Sequence, residues 1–350
     1  MLRIQELKII DILRSNNIEP RKECINLKKR LLFYNLLLIF TIYIDIYGNS
    51  NNQEHGFYSF SKEKDYIGKK FAIIKRECSL CGLFSNYMVY LGCIHKYLLE
   101  GYIPIIDNKS FPNAINGFNM TKNNNWELLF EQPFGYTLES VLKNAKDITY
   151  FSCEDCIPRP DEYSMLMNEP RKHFWHDFSN KYLAIKNELV YLANKIMYKL
   201  FRKSKNILGA LTRGTDYIYK KPSGHPIPPN VSDFINDVKE MDDKFKYDYI
   251  FFSTEDEKIR YNFSHSFKER KIKQIKHKSP INYDYTKADY LNSNENIIGN
   301  LEFNKIYLLN IIILSKCLDI ITARCSGAVG IFILSKGFRN TKIYDLGVYK

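Results

Sequence analysis

Thr212-Arg213-Gly214-Thr215-Asp216 follows directly on an apolar run formed by Ile207, Leu208, Ala210 and Leu211. A buried strand that delivers polar side chains at its carboxyl end has this pattern, and ligands of open α/β sheets sit just beyond that end. Arg213 carries a permanent charge and a planar fork of donors suited to a phosphate. Gly214 allows a tight turn or a close backbone approach. Thr215 and Asp216 add a hydroxyl and a carboxylate, and a loop punctuated by Pro and Gly then brings in His225. Asp216 and His225 are side chains that can accept a proton from an attacking hydroxyl.

Two more apolar runs end in the same way. Residues 247–252 lead into Ser253-Thr254-Glu255-Asp256, and residues 319–323 lead into Arg324-Cys325-Ser326-Gly327-Ala328. Carboxylates at Glu255 and Asp256, with the Thr254 hydroxyl, can hold sugar hydroxyls or base N–H groups. Ser326, Gly327 and Ala328 would sit at the amino end of a helix over 331–336, where backbone amides and the helix dipole favour a phosphate. Each motif alone is ordinary. Three of them in chain order, each at a strand end, read as one binding site.

These motifs require a particular set of elements to carry them. Residues 70–75 predict a first strand, which runs into a turn at Gly82 with Ser85 and Asn86, then a helix over 87–100 and a second strand over 102–106. Ser85 and Asn86 would cap that helix, leaving amides for an anion or an acceptor hydroxyl. A short helix over 126–133 and a helix-to-strand passage over 141–151 follow, then an irregular stretch over 153–170. Leu183, Leu189, Leu192, Ile196, Met197 and Leu200 recur at helical spacing, so a long amphipathic helix over 182–201 links two halves. The second half repeats strand and helix: 207–211, a helix over 230–241 capped by Ser232, 247–252, a helix over 257–267, an apolar helix over 301–316, and strands over 319–323 and 341–346. The basic run 268–278 reads as a solvated loop, with contact to anionic lipid as the functional alternative. This alternation predicts an α/β protein with parallel sheets.

The first part of the chain is different. Residues 1–30 read as basic and helical, and 31–47 form the most apolar run, interrupted by Asn35 and Asp45. Three readings stand for 31–47: a buried or domain-covering helix, a membrane-surface anchor, or a single span, for which its length is marginal. Residues 48–70 are polar and turn-rich. The expected organisation is therefore an extension over 1–67, a domain over 68–204 and a domain over 205–350.

At 350 residues, with 45% hydrophobic and 26% charged side chains, the chain has material for two ordinary cores. The net charge of +12 draws acidic partners, but no nucleic-acid motif accompanies it, so nucleic acid is not expected as a partner. The eight cysteines are scattered, and Cys93 and Cys317 lie in apolar runs, which favours reduced buried thiols in a cytoplasmic protein. Cys78/Cys81 and Cys153/Cys156 form two CxxC pairs, but they lie far apart for a zinc ribbon.

The second half resembles the GDP-fucose-dependent fucosyltransferases of GT-B architecture, which include the α1,6, the α1,2 and the protein O-fucosyltransferase groups. Arg213 and Asp216 match the family's His-x-Arg-Arg-Gly/Thr-Asp hallmark, and His225-Pro226 falls where the α1,6 group has His-Pro. Ser253-Thr254-Glu255-Asp256 resembles its Ser/Ala-Thr-Asp-Asp strand end, and residues 308–329 resemble its helix–strand–helix, placing Ser326 at the phosphate. The Cys81-Gly82-Leu83-Phe84-Ser85-Asn86 turn resembles the opening of the family's first domain.

The resemblance covers roughly 68–350. It implies two Rossmann-like doubly wound domains facing a cleft, and inverting fucosyl transfer from GDP-fucose without a cofactor or required metal. The donor site would comprise Arg213, Gly214, Thr215, Thr254, Glu255, Asp256, Asn310, Ser326, Gly327 and Ala328; Gly82, Ser85 and Asn86 would lie on the acceptor side. The basic charge and the apolar run over 31–47 would suit a glycan or lipid-linked glycan acceptor, and the cysteine usage a cytoplasmic location, with peripheral or anchored membrane association as one of the readings of 31–47. Three positions depart from the pattern: Leu211 replaces the hallmark histidine, Lys221 stands where a base carboxylate is placed, and Asn310 stands where many members carry an acid that contacts the nucleobase. A non-catalytic GDP-sugar or glycan-binding protein of the same fold is the alternative these departures support.

Overall fold

The computed structural model describes residues 65–76, 81–110, 123–153, 158–161, 165–267, 271–275 and 301–350. The segments expected over 1–30, 31–47 and 48–64 lie outside the described residues, as does most of the basic run. The chain divides into two compact units, Met1–Glu63 and Lys64–Lys350, and all that follows concerns the second.

The strands and helices alternate as the apolar pattern demands. Lys70–Lys75 (β1), Ile103–Ile106 (β2) and Asp147–Ser152 (β3) form one sheet in the order β2-β1-β3; both of its pairings are parallel. Ile207–Leu211 (β4), Tyr249–Ser253 (β5), Ile272–Lys273 (β6), Asp319–Ala323 (β7) and Thr341–Tyr344 (β8) form a second, all-parallel sheet in the order β6-β5-β4-β7-β8. The chain steps outward from β4 to β6 and then returns to β7 on the other side. The strand order therefore reverses between β4 and β7, the point at which ligands bind in sheets of this kind.

Helices cover both faces of each sheet. Leu83–Leu99 (α1) packs on the β1 face that carries Ala72 and Ile74, while Leu138–Asn144 (α2) covers Phe71 and Ile73 from the other side. Between the sheets come Glu169–Tyr182 (α3) and Asn187–Phe201 (α4). In the second sheet Thr215–Tyr219 (α5) is a single short turn after β4. Val231–Phe245 (α6) and Glu257–His265 (α7) bury Phe234, Ile235, Val238, Ile259 and Phe263 against Leu208, Ala210, Ile250 and Phe252. Leu301–Leu314 (α8) and Ser326–Leu334 (α9) take the opposite face, with Ile207, Leu211, Phe251 and Ile320. Alternate residues of one strand thus feed two cores, as the two-residue period requires. The core beneath α8 and α9 continues into the α1 core of the first sheet. At Gly330 of α9 a Cβ would come 2.3 Å from the Phe84 ring of α1, so the missing side chain is what lets the helices meet.

Several expectations are corrected. Gly82, not Ser85 or Asn86, is the N-cap of α1, which begins at Leu83 and carries both polar residues inside its first turns. Asn230 rather than Ser232 caps α6, accepting the Ser232 amide at 3.0 Å. The helix after β7 begins at Ser326, five residues earlier than its apolar run suggests. Glu169–Tyr182, which overlaps the stretch expected to be irregular, is a helix started by Asn168 and a proline in its first turn. Within the basic run expected as loop, Ile272 and Lys273 form an edge strand on β5.

The cysteine reading holds for Cys317, a buried thiol, and is corrected for Cys93. Cys93 of α1 and Cys153, just after β3, are joined by a disulfide with Cα atoms 6.5 Å apart, and both are fully buried. Cys81 is disulfide-bonded too, whereas Cys317 and Cys325 are buried thiols outside any disulfide. Sequence distance conceals the pair: parallel pairing of β3 with β1 brings the end of β3 beneath α1. Among the described residues no group of three His, Cys, Asp or Glu is arranged to hold a metal ion, and no helix is long and apolar enough to cross a membrane.

Closing a loop of 60 residues restricts the unfolded chain; on the chain-entropy model that is worth about 4 kcal/mol. Cys93→Ser and Cys153→Ser together should therefore lower the unfolding free energy by about that amount, read by urea titration under non-reducing conditions.

His95 of α1 supplies a second measurable quantity. It lies among the rings of Phe174, Trp175 and Phe178, and its buried Nδ1 has no hydrogen-bond partner among the described residues. Burial lowers its pKa to about 4. The unfolded chain then binds a proton near pH 6.5 that the folded chain refuses. His95 costs no stability above the unfolded value, and stability falls as pH drops from there toward 4. The expected loss over that window is about 3 kcal/mol. His95→Phe should flatten that part of the stability–pH curve.

Candidate functional site

The site is built from the turn that ends β4. Thr212 still donates its amide to Ser253 O at 3.3 Å, so the ladder with β5 continues one residue past the strand. Arg213 then faces Glu255 across the same pair of strands, Nε to Oε1 3.1 Å. The same Glu255 oxygen accepts the Gly214 amide at 2.9 Å and the Thr215 hydroxyl at 3.3 Å. Asp256 takes the Thr215 amide on Oδ2 at 3.1 Å and the Ile259 amide on Oδ1 at 3.0 Å, so it caps α7 while holding the β4 turn. Thr254 supports this arrangement by accepting the Asp256 amide at 3.2 Å.

These bonds hold an unusual backbone. Thr215 sits at φ +47° although it is β-branched and fully buried. Such a conformation costs on the order of 1–3 kcal/mol and persists where surrounding contacts fix it. Gly214 is demanded by space: a Cβ there would lie 2.5 Å from Asp256 Cβ.

Aromatic side chains form the next layer. The Arg213 guanidinium lies over the Tyr217 ring at 4.3 Å, and Tyr217 meets the His225 ring edge-on at 5.4 Å. His225 Nδ1 is 3.2 Å from Ser223 O. Facing a carbonyl, that nitrogen carries the proton in the neutral ring, which leaves Nε2 as the nitrogen able to accept one. The His225 loop is tied to the residues after β8: Gly224 donates to Tyr349 O at 2.8 Å, Tyr349 donates to His225 O at 3.0 Å, and Ile227 donates to Gly347 O at 3.0 Å.

The third motif closes the site from the β7 side. Cys325 is the N-cap of α9, its sulfur accepting the Ala328 amide at 3.4 Å. The Tyr307 hydroxyl of α8 presses on Gly327, where a Cβ would be 2.5 Å away. Burial pushes the Tyr307 phenol up; Cys325 and Glu255 push the same way and Arg213 opposes them. Tyr307 therefore lies against the start of α9 and within electrostatic reach of the β4 turn.

Most of the expected donor-side residues thus come together: Arg213, Gly214, Thr215, Thr254, Glu255 and Asp256 form one bonded cluster, while Gly327 packs under Tyr307 in the first turn of α9 and Ala328 donates to Cys325. Ser326 begins α9 beside Cys325. Asn310 does not join them through its amide nitrogen, which donates back to Ile306 O at 3.0 Å within α8. The side chain of Asp216 lies outside the described residues. On the first sheet, Arg76 after β1 donates to Ser85 Oγ at 3.2 Å and to Asn86 Oδ1 at 3.0 Å, and Asn86 Nδ2 donates to Cys81 O at 3.0 Å. Gly82, Ser85 and Asn86 therefore form one turn organised by a buried arginine.

Arg76, Tyr217, Tyr307 and Arg324 are not among the candidate site residues of the sequence reading, although Arg324 opens its third motif. Arg76 and Arg324 carry a usable signal, since each is the first residue after an apolar strand. Tyr217 and Tyr307 carry none among so many tyrosines.

The chain is similar in fold to NodZ alpha-1,6-fucosyltransferase and to POFUT1. With the NodZ structure co-crystallized with GDP it shares 11% identity and a TM-score of 0.46, covering 76% of this chain and 93% of that one. Fucosyltransferase NodZ from Bradyrhizobium gives 11%, 0.47, 76% and 94%. POFUT1 in complex with GDP-fucose gives 9%, 0.45, 78% and 98%. No protein-family model matches the sequence, and no curated protein matches it. At these values the likeness assigns no role to any residue, and the site rests on its own geometry.

Gly214→Ala tests that geometry. The added methyl meets Asp256 Cβ, which the backbone fixes in place, so the turn or the α7 cap has to shift. The expected cost is about 1–3 kcal/mol, read as a lower denaturation midpoint with an unchanged m-value.

Proposed function

We propose that this chain transfers a sugar, fucose in the reading its motifs favour, from a guanosine diphosphate donor to a glycan, with inversion and without a required metal. One observation carries this reading. Arg213 is held by Glu255 at the carboxyl end of β4, beside the point where the strand order reverses. A fixed guanidinium there meets the charge that grows on a departing diphosphate, and preorganised charge of this kind is usually the largest catalytic contribution. The amide end of α9 adds partial positive charge on the β7 side.

The reaction has simple bookkeeping of atoms. An acceptor hydroxyl attacks the anomeric carbon, the bond from that carbon to the diphosphate oxygen breaks, and the hydroxyl proton passes to a base. His225 Nε2 is the candidate base that the tautomer leaves open, with Asp216 as the second. Glu255 and Asp256 are better explained as holders of the β4 turn, since between them they accept the two turn amides and the α7 cap. The turn of Gly82, Ser85 and Asn86 is assigned to the acceptor side. A surface polysaccharide or glycolipid is the acceptor class proposed, with 1–67 as the part that would meet a membrane surface.

The alternative is a protein that binds a GDP-sugar or a glycan without turning it over. The same inward bonding of Glu255 and Asp256 favours it, as do Leu211 and Lys221, because these leave fewer candidates for the base.

A thermal-shift series with GDP, UDP, CDP and their sugars separates the readings, since a ligand bound only by the folded chain raises stability with the logarithm of its concentration. A shift with GDP is expected, together with transfer from GDP-fucose that falls on the order of 10²–10³-fold in Arg213→Ala. Full activity in Arg213→Ala would sink the catalytic assignment. GDP binding without transfer from any GDP-sugar would favour the binding protein.

A further inference from the structure

We infer that Arg324 is a second cation of the donor seat, paired with Arg213 to hold a diphosphate rather than a monophosphate, and that Asp345 positions it as Glu255 positions Arg213. The inference rests on the reading that a nucleoside diphosphate occupies this end of the sheet.

Strand register places the two arginines together. Leu211 pairs with Ser253 on one side and with Thr322 on the other, and Ala323 pairs with Tyr344. Carrying that register past the strand ends puts Glu255, Arg213, Arg324 and Asp345 in one row across β5, β4, β7 and β8. The ladder does extend there: Thr212 donates to Ser253 O at 3.3 Å and Arg324 donates to Tyr344 O at 3.3 Å.

The four side chains also share one face. Ile207, Leu211, Phe251, Ile320 and Ile343 all belong to the core beneath α8 and α9, whereas Leu208, Ala210, Ile250, Phe252 and Ile321 belong to the other. Two-residue alternation puts Arg213, Glu255, Arg324 and Asp345 with the first set. The two ion pairs agree with that placement, since Arg213 meets Glu255 and Arg324 Nη1 meets Asp345 Oδ1.

The order of charges in the row is acid, base, base, acid. Two arginines stand side by side on neighbouring strands, in a position where like charges repel. They flank the reversal of strand order between β4 and β7, and Arg324 is 5% exposed. The outer acids compensate each cation from its own side. An anion with two charged groups, bridging the inner positions, would relieve the repulsion between them. The amide end of α9, two residues after Arg324, faces the same place. Of the other ionisable side chains at this edge, Asp256 holds the Thr215 amide and the α7 cap, and the His225 ring packs on Tyr217.

The test is isothermal calorimetry on the full chain with GDP, UDP, CDP, GMP and inorganic pyrophosphate. Wild type should bind a nucleoside diphosphate and pyrophosphate, and GMP more weakly. Arg324→Gln should weaken diphosphate binding about 10–100-fold, the range of a lost charged hydrogen bond, while GMP binding changes by less than about threefold. Asp345→Asn should move the same ratio in the same direction by a smaller factor. Arg324→Lys, which keeps the charge, should retain most of the preference and serves if Arg324→Gln does not fold.

Unchanged diphosphate binding in Arg324→Gln, or equal loss of GDP and GMP, would overturn the inference and leave Arg324 as a clamp between β7 and β8. Wild-type binding of pyrophosphate that depends on Arg324, without binding of any nucleoside diphosphate, would keep the seat and discard the nucleotide. Binding of none of these ligands would discard both.

Discussion

One carboxylate organises the carboxyl edge of the larger sheet. Glu255 Oε1 lies against Arg213 and accepts both the Gly214 amide and the Thr215 hydroxyl. These bonds let the chain reverse within three residues of β4 and keep a β-branched threonine in a left-handed conformation. They also immobilise a guanidinium that would otherwise sweep a wide arc. Gly214 is the steric condition for this arrangement, because Asp256 fills the space a side chain would occupy. A phosphate-binding reading of this edge depends on that rigidity, since charge fixed before the ligand arrives costs no reorganisation later.

The remaining architecture keeps this edge in place. Parallel pairing puts the carboxyl ends of β4, β5, β7 and β8 at one end of the sheet, and the two cores on its faces fix which residues point where. At the opposite end Asp319, fully buried, accepts hydrogen bonds from Tyr247, Arg339 and Asn340. Burial alone would raise its pKa, but these donors outweigh it and hold the carboxyl below the usual range. The sheet is thus pinned by a satisfied buried carboxylate at its amino end and carries charged side chains at the other. The smaller sheet meets it through α1 and α9, where Gly330 admits Phe84.

The strands that carry the site are legible because each is a short apolar run ending in polar residues. β1, β4 and β7 have the bounds that their apolar runs predict, since burial on both faces leaves Thr322 as the one polar side chain in their interiors. Helix starts are less legible. Ser326 to Gly330 resemble a glycine-rich loop, and only packing of Gly327 under Tyr307 and Gly330 against Phe84 shows that they are already helical. Ser85 and Asn86 have the composition of caps, but a buried arginine one strand end away claims both side chains.

Composition and periodicity were enough for the alternation of elements, the three strand-end motifs and the placement of Arg213 at the end of β4. These are local properties, set by side-chain spacing and by where apolar runs stop. Three features came only with the folded arrangement: the Cys93–Cys153 disulfide, the packing of Tyr307 of α8 against Gly327, and the ion pairs of Glu255 with Arg213 and of Arg324 with Asp345. Each of these depends on which strands become neighbours. That choice follows from burying two apolar faces at once, and no single stretch of the chain encodes it.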